Sequence, residues 1–457
     1  MPGRKKSIRL YRCTEVFPTP SPGGLVRILL LALILWPALS SAGDLLDLYQ
    51  AAKTRDHPYL AARAEYEADS VATKISRADL LPSVSLSADS GKIDQEINRD
   101  SGSLFTQGRS RFNDRGYSIS ARQPLVDVAK WRQLKKARGE VSAAQARWRA
   151  QQQSLIARLV TAWLDVLEAR GELELAQADE KAVSKQLELA RSRLDAGLAA
   201  ITEVHETRAR SGLARSRRIQ AEIELGNARS RLHAITGSSD APAAPAFDNP
   251  DIGSLDDWLD RAEKHSAELD VARAELAAAE AEWKTGKADH YPVLELVGEQ
   301  SYRDAGGSVF GDGRESTRKS VKLELSVPLF HGGKTLYQNR QLDHRRQAAR
   351  EQLAAARQEL ASAITESYNA LAHSAEQLQA LQLAVKAARQ SMQAKSESFD
   401  AGLASNLDIL NAEGELMQAR QQLNQARYQR TRDWIRLRQQ AGVLNEQDLR
   451  RLAGLVH

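Results

Sequence analysis

"DAGLAAITEVHETRA", residues 195–209, and "DAGLASNLDILNAEG", residues 400–414, stand 205 positions apart in this chain. Each interrupts a long run of Ala, Gln, Leu, Glu and Arg with the same Asp-Ala-Gly-Leu. Each also sets a carboxylate six residues beyond its glycine, Glu203 after Gly197 and Asp408 after Gly402. Glycine supplies turn conformations that a Cβ resists. A helix-forming chain that repeats both the break and the spacing behind it reads as one unit written twice.

The duplication extends outward from these breaks. "AARAE" (61–65) meets "VARAE" (271–275), "ADLLP" (78–82) meets "ADHYP" (288–292), and "QPLVDVAKW" (123–131) meets "VPLFHGGKT" (327–335). At an offset of 205, Trp148, Leu155, Leu159, Trp163, Val166, Leu173, Leu187 and Leu194 face Leu353, Leu360, Ile364, Tyr368, Leu371, Leu378, Met392 and Phe399. The Ser/Ala/Pro stretch "GSSDAPAAPAFDNPD" (237–251) joins the two halves. We therefore read a first repeat over 43–237, a linker over 238–253, a second repeat over 254–442 and a C-terminal tail over 443–457.

Within each half the apolar residues recur at coiled-coil spacing. From Trp131 to Asp195 there is no Pro, and the only glycines are Gly139 and Gly171. As one helix this stretch would extend about 98 Å at 1.5 Å per residue. The spacing predicts helical hairpins over 130–235 and 334–441. Two shorter helical stretches, Leu45 to Ala78 and 255–288, are expected to stack end to end with the descending helices beside the long ones.

Between short and long helices the period switches to two. "VSLSA" (84–88), "YSISA" (117–121), "VLELV" (293–297) and "VKLELSV" (321–327) alternate as strands with two unlike faces do. Strands are expected at about 82–90, 116–124, 292–302 and 320–330, joined by polar loops over 89–116 and 303–319.

The first 42 residues read as a signal peptide: Arg4, Lys5, Lys6, Arg9 and Arg12 precede the apolar "ILLLALILWPAL" and the small residues Ser40-Ser41-Ala42. Removing this leader takes away six Lys/Arg and one Glu, which leaves equal numbers of basic and acidic residues. A nucleic-acid partner, which calls for a basic face, is not expected. The one cysteine, Cys13, lies in the leader, so the mature chain has no thiol for disulfides, metal or a lipid anchor. With 5% aromatic residues the remainder suits long packed helices.

Four strands cannot close a barrel, and a sheet within a membrane leaves no open edge. Three chains pooling their strands would make twelve, an even number within the range of outer-membrane barrels. A soluble sheet covered by helices is the other arrangement the strands allow.

The order of short helix, "LLPSVSLSA", strand, "PLF-x-GG", long helix and G-L-x-x-[IN]-x-[DE] resembles the TolC-like outer-membrane efflux proteins over essentially all of 44–442. In combination, the "RADLLPSVSLSA"-like phrases, the 205-residue duplication and "AGLAAITEVHETRA" look more like the type I secretion members than like the lipid-anchored drug-efflux channels. The resemblance implies an α+β membrane protein: a homotrimer with a coiled-coil α-helical barrel reaching through the periplasm and a twelve-stranded β-barrel in outer-membrane lipid. It implies an exit duct for protein secretion or multidrug efflux, served by a periplasmic adaptor and an ABC or RND pump in the inner membrane. Opening would be an iris-like movement of the helix tips on adaptor docking.

The tip phrases Ala196-Gly197-Leu198 and Ala401-Gly402-Leu403 are similar to those that dock an adaptor. The gate implied by the resemblance comprises Asp408, Asn411, Glu203, Glu206 and Phe399. Rings of carboxylates in a pore favour cations. Asn411 stands where a second acid is often found, Ala404 where a base is, and Phe399 where a Tyr is, so one ring resting on Asp408 is expected.

Enzyme chemistry is not expected. No H-E-x-x-H, phosphate loop or G-x-S-x-G elbow occurs, the nine His are scattered, and neither a metal nor a cofactor is called for. The alternative to a conduit is a periplasmic coiled-coil adaptor without a pore.

Overall fold

A computed structural model of the chain describes residues 45–97, 108–242, 252–287, 291–308, 311–330 and 332–454. The leader and most of the linker lie outside the described residues, which belong to the unit Gly43–His457.

The first helical stretch is three helices, α1 (Leu45–Arg55), α2 (His57–Ser70) and α3 (Ala72–Ala78). Pro58 sits at the start of α2, where its missing N–H costs nothing, and the Asp56 carboxylate caps that helix by accepting the Tyr59 N–H at 3.0 Å. The strands β1 (Ser83–Ile97) and β2 (Gly108–Val126) follow, then the long helix α4 (Val128–Asp195) and its partner α5 (Ile201–Thr236). The second half repeats this order as α6 (Leu255–His265), α7 (Ala267–Gly286), β3 (Val293–Ser308), β4 (Gly311–Ser326), α8 (Lys334–Asp400) and α9 (Asn406–Gln440). With 68 residues, α4 runs about 102 Å.

α4 is the axis on which both repeats pack. α2, α3 and α5 lie against it from its own half, and α7 and α9 from the other. This explains why its middle is buried on more than one side: Leu155, Leu159, Trp163 and Val166 form the expected seam, and Ile156, Val160 and Leu164 are buried as well. Leu45, Leu225, Trp434 and Leu449 join them in one core. The counterpart helix α8 buries a single stripe, Leu353, Leu360, Ile364 and Leu371, which keeps the spacing read from the sequence. Gly171 lets α9 approach α4, because a Cβ there would sit 2.8 Å from the Asn424 side-chain oxygen. The Asn424 amide donates to the Glu168 carbonyl and, at 3.1 Å, to the Glu172 carboxylate. Burial pushes the Glu172 carboxyl up.

The four strands form one antiparallel sheet in the order β1-β2-β3-β4. The β2–β3 pair, which runs from Asp114↔Ala305 to Val126↔Leu294, sews the repeats together. β1 and β4 are its edges.

Two expectations are corrected here. The loops read over 89–116 and 303–319 are largely strand, since pairing continues to Ile97↔Gly108 and Ser308↔Gly311. Beyond Asp89 the alternation of apolar and polar residues stops, yet cross-strand ion pairs take over the bonding. Asp94 accepts from Arg109 at 2.6 Å and Arg111 at 2.8 Å, and Asp114 from Arg303 at 2.6 Å. The stretch read as a tail carries α10 (Glu446–Leu452), which buries Leu449 and Leu452 in the core and whose Asp448 pairs with Arg438 at 2.9 Å.

Candidate functional site

Residues directly paired in an antiparallel sheet share a face, so the register divides the sheet in two. One face carries Val84 and Leu86 of β1, Tyr117, Ile119 and Ala121 of β2, Leu294, Leu296 and Tyr302 of β3, and Val321, Leu323 and Leu325 of β4. The other carries Ser83, Ser85, Ser87, Ser118, Ser120, Arg122, Glu295, Glu299, Arg318, Lys322 and Glu324, tied by Ser85–Ser120 and Ser87–Ser118 hydrogen bonds of 2.8 Å.

The apolar face is exposed, with Val321 at 79% and Leu323 at 65%. No described helix covers this sheet: its strand pairings are with other strands alone. A soluble sheet under helices is therefore not what the chain builds. From the Leu294–Leu325 row to the Tyr302 row, with Gln300 and Lys319 as a polar interruption beside Ile119, this face measures about 27 Å along the strands, or about 21 Å along the membrane normal at a tilt near 40°. That is close to the ~25 Å outward apolar band of outer-membrane barrels.

Aromatic rings mark both borders. Tyr117 and Tyr302 stack 5.4 Å apart at one, beside the Arg115–Asp304 ion pair of 2.7 Å. Trp131, Tyr291, Phe330 and Tyr337 lie exposed where strands give way to helices at the other. Such girdles sit at the two membrane–water interfaces.

The tips repeat one local design. Gly197 and Gly402 adopt φ of 73° and 75°, the left-handed region where glycine is favoured. The Leu198 N–H returns to the Arg193 carbonyl and the Leu403 N–H to the Ser398 carbonyl, each at 2.7 Å, which closes the long helix before the chain reverses. Leu198 and Leu403 stand 71% and 84% exposed, and Ala196 and Ala401 are exposed with them.

Behind the turns the two copies differ. α9 opens with a capping box: Ser405 Oγ accepts the Asp408 N–H, and the Asp408 carboxylate accepts from Ser405 N–H at 2.9 Å and Ser405 O–H at 2.7 Å. Lys395 of α8 stands 3.9 Å from the same carboxylate. The Ser405 bonds, side chain first and then backbone, and after them the Lys395 charge hold the Asp408 carboxyl below its ordinary range. α5 has Ala200 at the corresponding position and no side-chain cap, and Glu203 is half-buried while Glu206 is exposed.

The remaining gate candidates are met by residues on the other hairpin. Asn411 Oδ1 accepts from Arg210 of α5 at 2.7 Å. The Arg193 guanidinium of α4 lies 4.5 Å from the centroid of Phe399 on α8. Asn406 of α9 donates to Thr207 of α5 at 2.8 Å in a buried contact. Sequence reading missed Arg193, Thr207, Arg210, Lys395 and Asn406, whose partners are remote in sequence except for that of Lys395. The S-x-x-D capping box at 405–408 was visible in the sequence.

An exposed apolar sheet face with aromatic borders, carried on paired long helices, describes a membrane channel, and comparison with known proteins identifies the class. Residues 48–238 and 258–443 match the outer membrane efflux protein family. The chain belongs to that family. It is 29% identical over 422 residues, 91% of each chain, to the proteases secretion protein PrtF of Dickeya chrysanthemi. It is 31% identical over 322 residues, 68% of this chain and 66% of the relative, to the alkaline protease secretion protein AprF of Pseudomonas aeruginosa. The CmeC outer membrane channel of Campylobacter jejuni shares its fold, with a TM-score of 0.77 over 90% of both chains at 14% identity. This efflux protein is thus a TolC-like channel of the outer membrane, with its helices extending into the periplasm. The pore-free adaptor is set aside.

Proposed function

We propose that three copies of this efflux protein pool their sheets into a twelve-stranded barrel and give an inner-membrane exporter its exit duct, with a periplasmic adaptor at the tips. One observation carries this reading: a four-stranded sheet with an apolar outer face and two unpaired edges, β1 and β4. Inside a bilayer those edges must be paired, and partners of the same kind supply them. The protein cargo is favoured by the likeness to PrtF and AprF, which are protease secretion proteins, and with it an ABC-type pump. The exposed Leu198 and Leu403, with Ala196, Gly197, Ala401 and Gly402, offer the adaptor its docking surface. The energy is the pump's. Detergent-extracted outer membranes are expected to yield a trimer that dissociates on heating; a monomer would sink the proposal.

The gate rests on Asp408, supported at the tips by Asn411, Glu203, Glu206 and Phe399. Asp408→Asn retains an oxygen for the Ser405 N–H and removes the charge, so it separates capping from ion binding. In planar bilayers this variant is expected to lose cation preference and block by divalent cations. Unchanged selectivity would leave Asp408 as a helix cap alone. Because the native Asp408 carboxyl lies low, its charge is retained as pH falls through the ordinary carboxylate range. The cation preference of the unmodified channel should therefore fade only at more acid pH.

A further inference from the structure

Further from the tips than Asp408, Glu413 of α9 meets Gln186 of α4. The Gln186 amide donates to Glu413 Oε1 at 3.0 Å. The other two atoms of these facing groups, Gln186 Oε1 and Glu413 Oε2, are both buried and both lack a partner. An ionised carboxylate has two acceptors and no donor, whereas an amide edge presents one donor and one acceptor. An ionised Glu413 therefore has no donor to offer Gln186 Oε1, and each group keeps one buried acceptor without a partner. A single proton on Glu413 removes this deficit, because the acid O–H donates to Gln186 Oε1 while the amide donates back.

We propose that Glu413 carries this proton and forms a two-way acid–amide pair with Gln186, a latch that holds α9 on α4 and that ionisation releases. The surroundings favour the acid form. Burial, and then the negative charge of Asp179 on α4, push the Glu413 carboxyl above the ordinary range, against the opposing pull of the Gln186 amide. Among the described residues the nearby cations are committed elsewhere. Arg217 of α5 pairs with Asp179 at 2.7 Å, and Arg210 of α5 donates to Asn411. On the α8 side, Lys395 faces Asp408. Among the described residues, the groups that shift the Glu413 carboxyl include no cation.

The sign follows from the raised value. The paired acid is present at low pH, and the contact is lost as pH rises through the titration of Glu413. A carboxylate would then confront the Gln186 oxygen and the Asp179 charge. α4 and α9 come from different repeats, so release loosens one hairpin from the other just behind the tips. This consequence for the pore, though not the pair itself, rests on the conduit reading above.

The test uses the full-length protein in detergent and in bilayers. Infrared titration is expected to show the carbonyl band of a protonated carboxyl that disappears as pH rises, and that is absent from Glu413→Gln, whose amide still makes both bonds to Gln186. Wild-type conductance should rise over the same pH interval, while Glu413→Gln stays at the low level throughout. A wild type without that band, a band that persists in Glu413→Gln, or a variant that keeps the wild-type pH response would overturn the latch. Loss of the band in Glu413→Gln with no conductance in either protein would uphold the pair and count against the conduit.

Discussion

Trp163→Ala is expected to destabilise the fold by about 3–5 kcal/mol per chain, the usual cost of emptying a Trp site in a packed core. Trp163 is 1% exposed in the middle of α4, where helices from both repeats close over it. Its indole N–H donates to the Pro242 carbonyl at 2.9 Å, so it also ties down the start of the linker. Truncation leaves that carbonyl without its donor as well as opening a cavity, and the two losses add. Unfolding of the detergent-solubilised protein, followed by circular dichroism, measures the change. A loss below about 1 kcal/mol would show that the site collapses freely and is not the keystone described here.

Leu323→Arg is expected to abolish assembly in the outer membrane. Leu323 pairs with Leu296 within the apolar band. An arginine on a barrel's lipid face costs about 2–4 kcal/mol at the midplane and less toward the interfaces, and a trimer would bear the cost at Leu323, one row inside the border, three times. Glu324, the next residue, lies on the opposite face, so Glu324→Arg should leave heat-dissociable trimers in normal yield. Equal assembly of the two variants would refute the assignment of faces.

Much of this architecture is legible in the sequence because it is periodic. The seam of α4 and α8, the four strand cores and the Gly197 and Gly402 turns each leave a local signature in spacing or residue type. What was missed depends on pairing across distance. The strands run on past Asp89 because Asp94 meets Arg109 and Arg111, and Asp114 meets Arg303. A run of charges reads as loop until its partner strand is known. The single reading of Leu45 to Ala78 as helix overlooked that Asp56 followed by Pro58 starts a new one. Of the gate, the carboxylates were visible, but the environment that lowers Asp408 and raises Glu413 was not. Asp408 is lowered first by the Ser405 cap and only then by Lys395 of the neighbouring helix, while Glu413 is raised by burial and by Asp179, which comes from the other repeat.

The packing of both repeats on α4 bears on the order in which the chain can become a protein. The core around Trp163 contains Trp434, Leu449 and Leu452 from the last stretch of sequence. β2 likewise finds its second neighbour only in β3. A chain delivered N-terminus first therefore emerges with its longest helix bare on the sides that α7, α9 and α10 will cover. Such unsatisfied apolar surface is prone to aggregation. The efflux protein must be kept from collapsing until its final residues have crossed the inner membrane, and only then can the halves interlock.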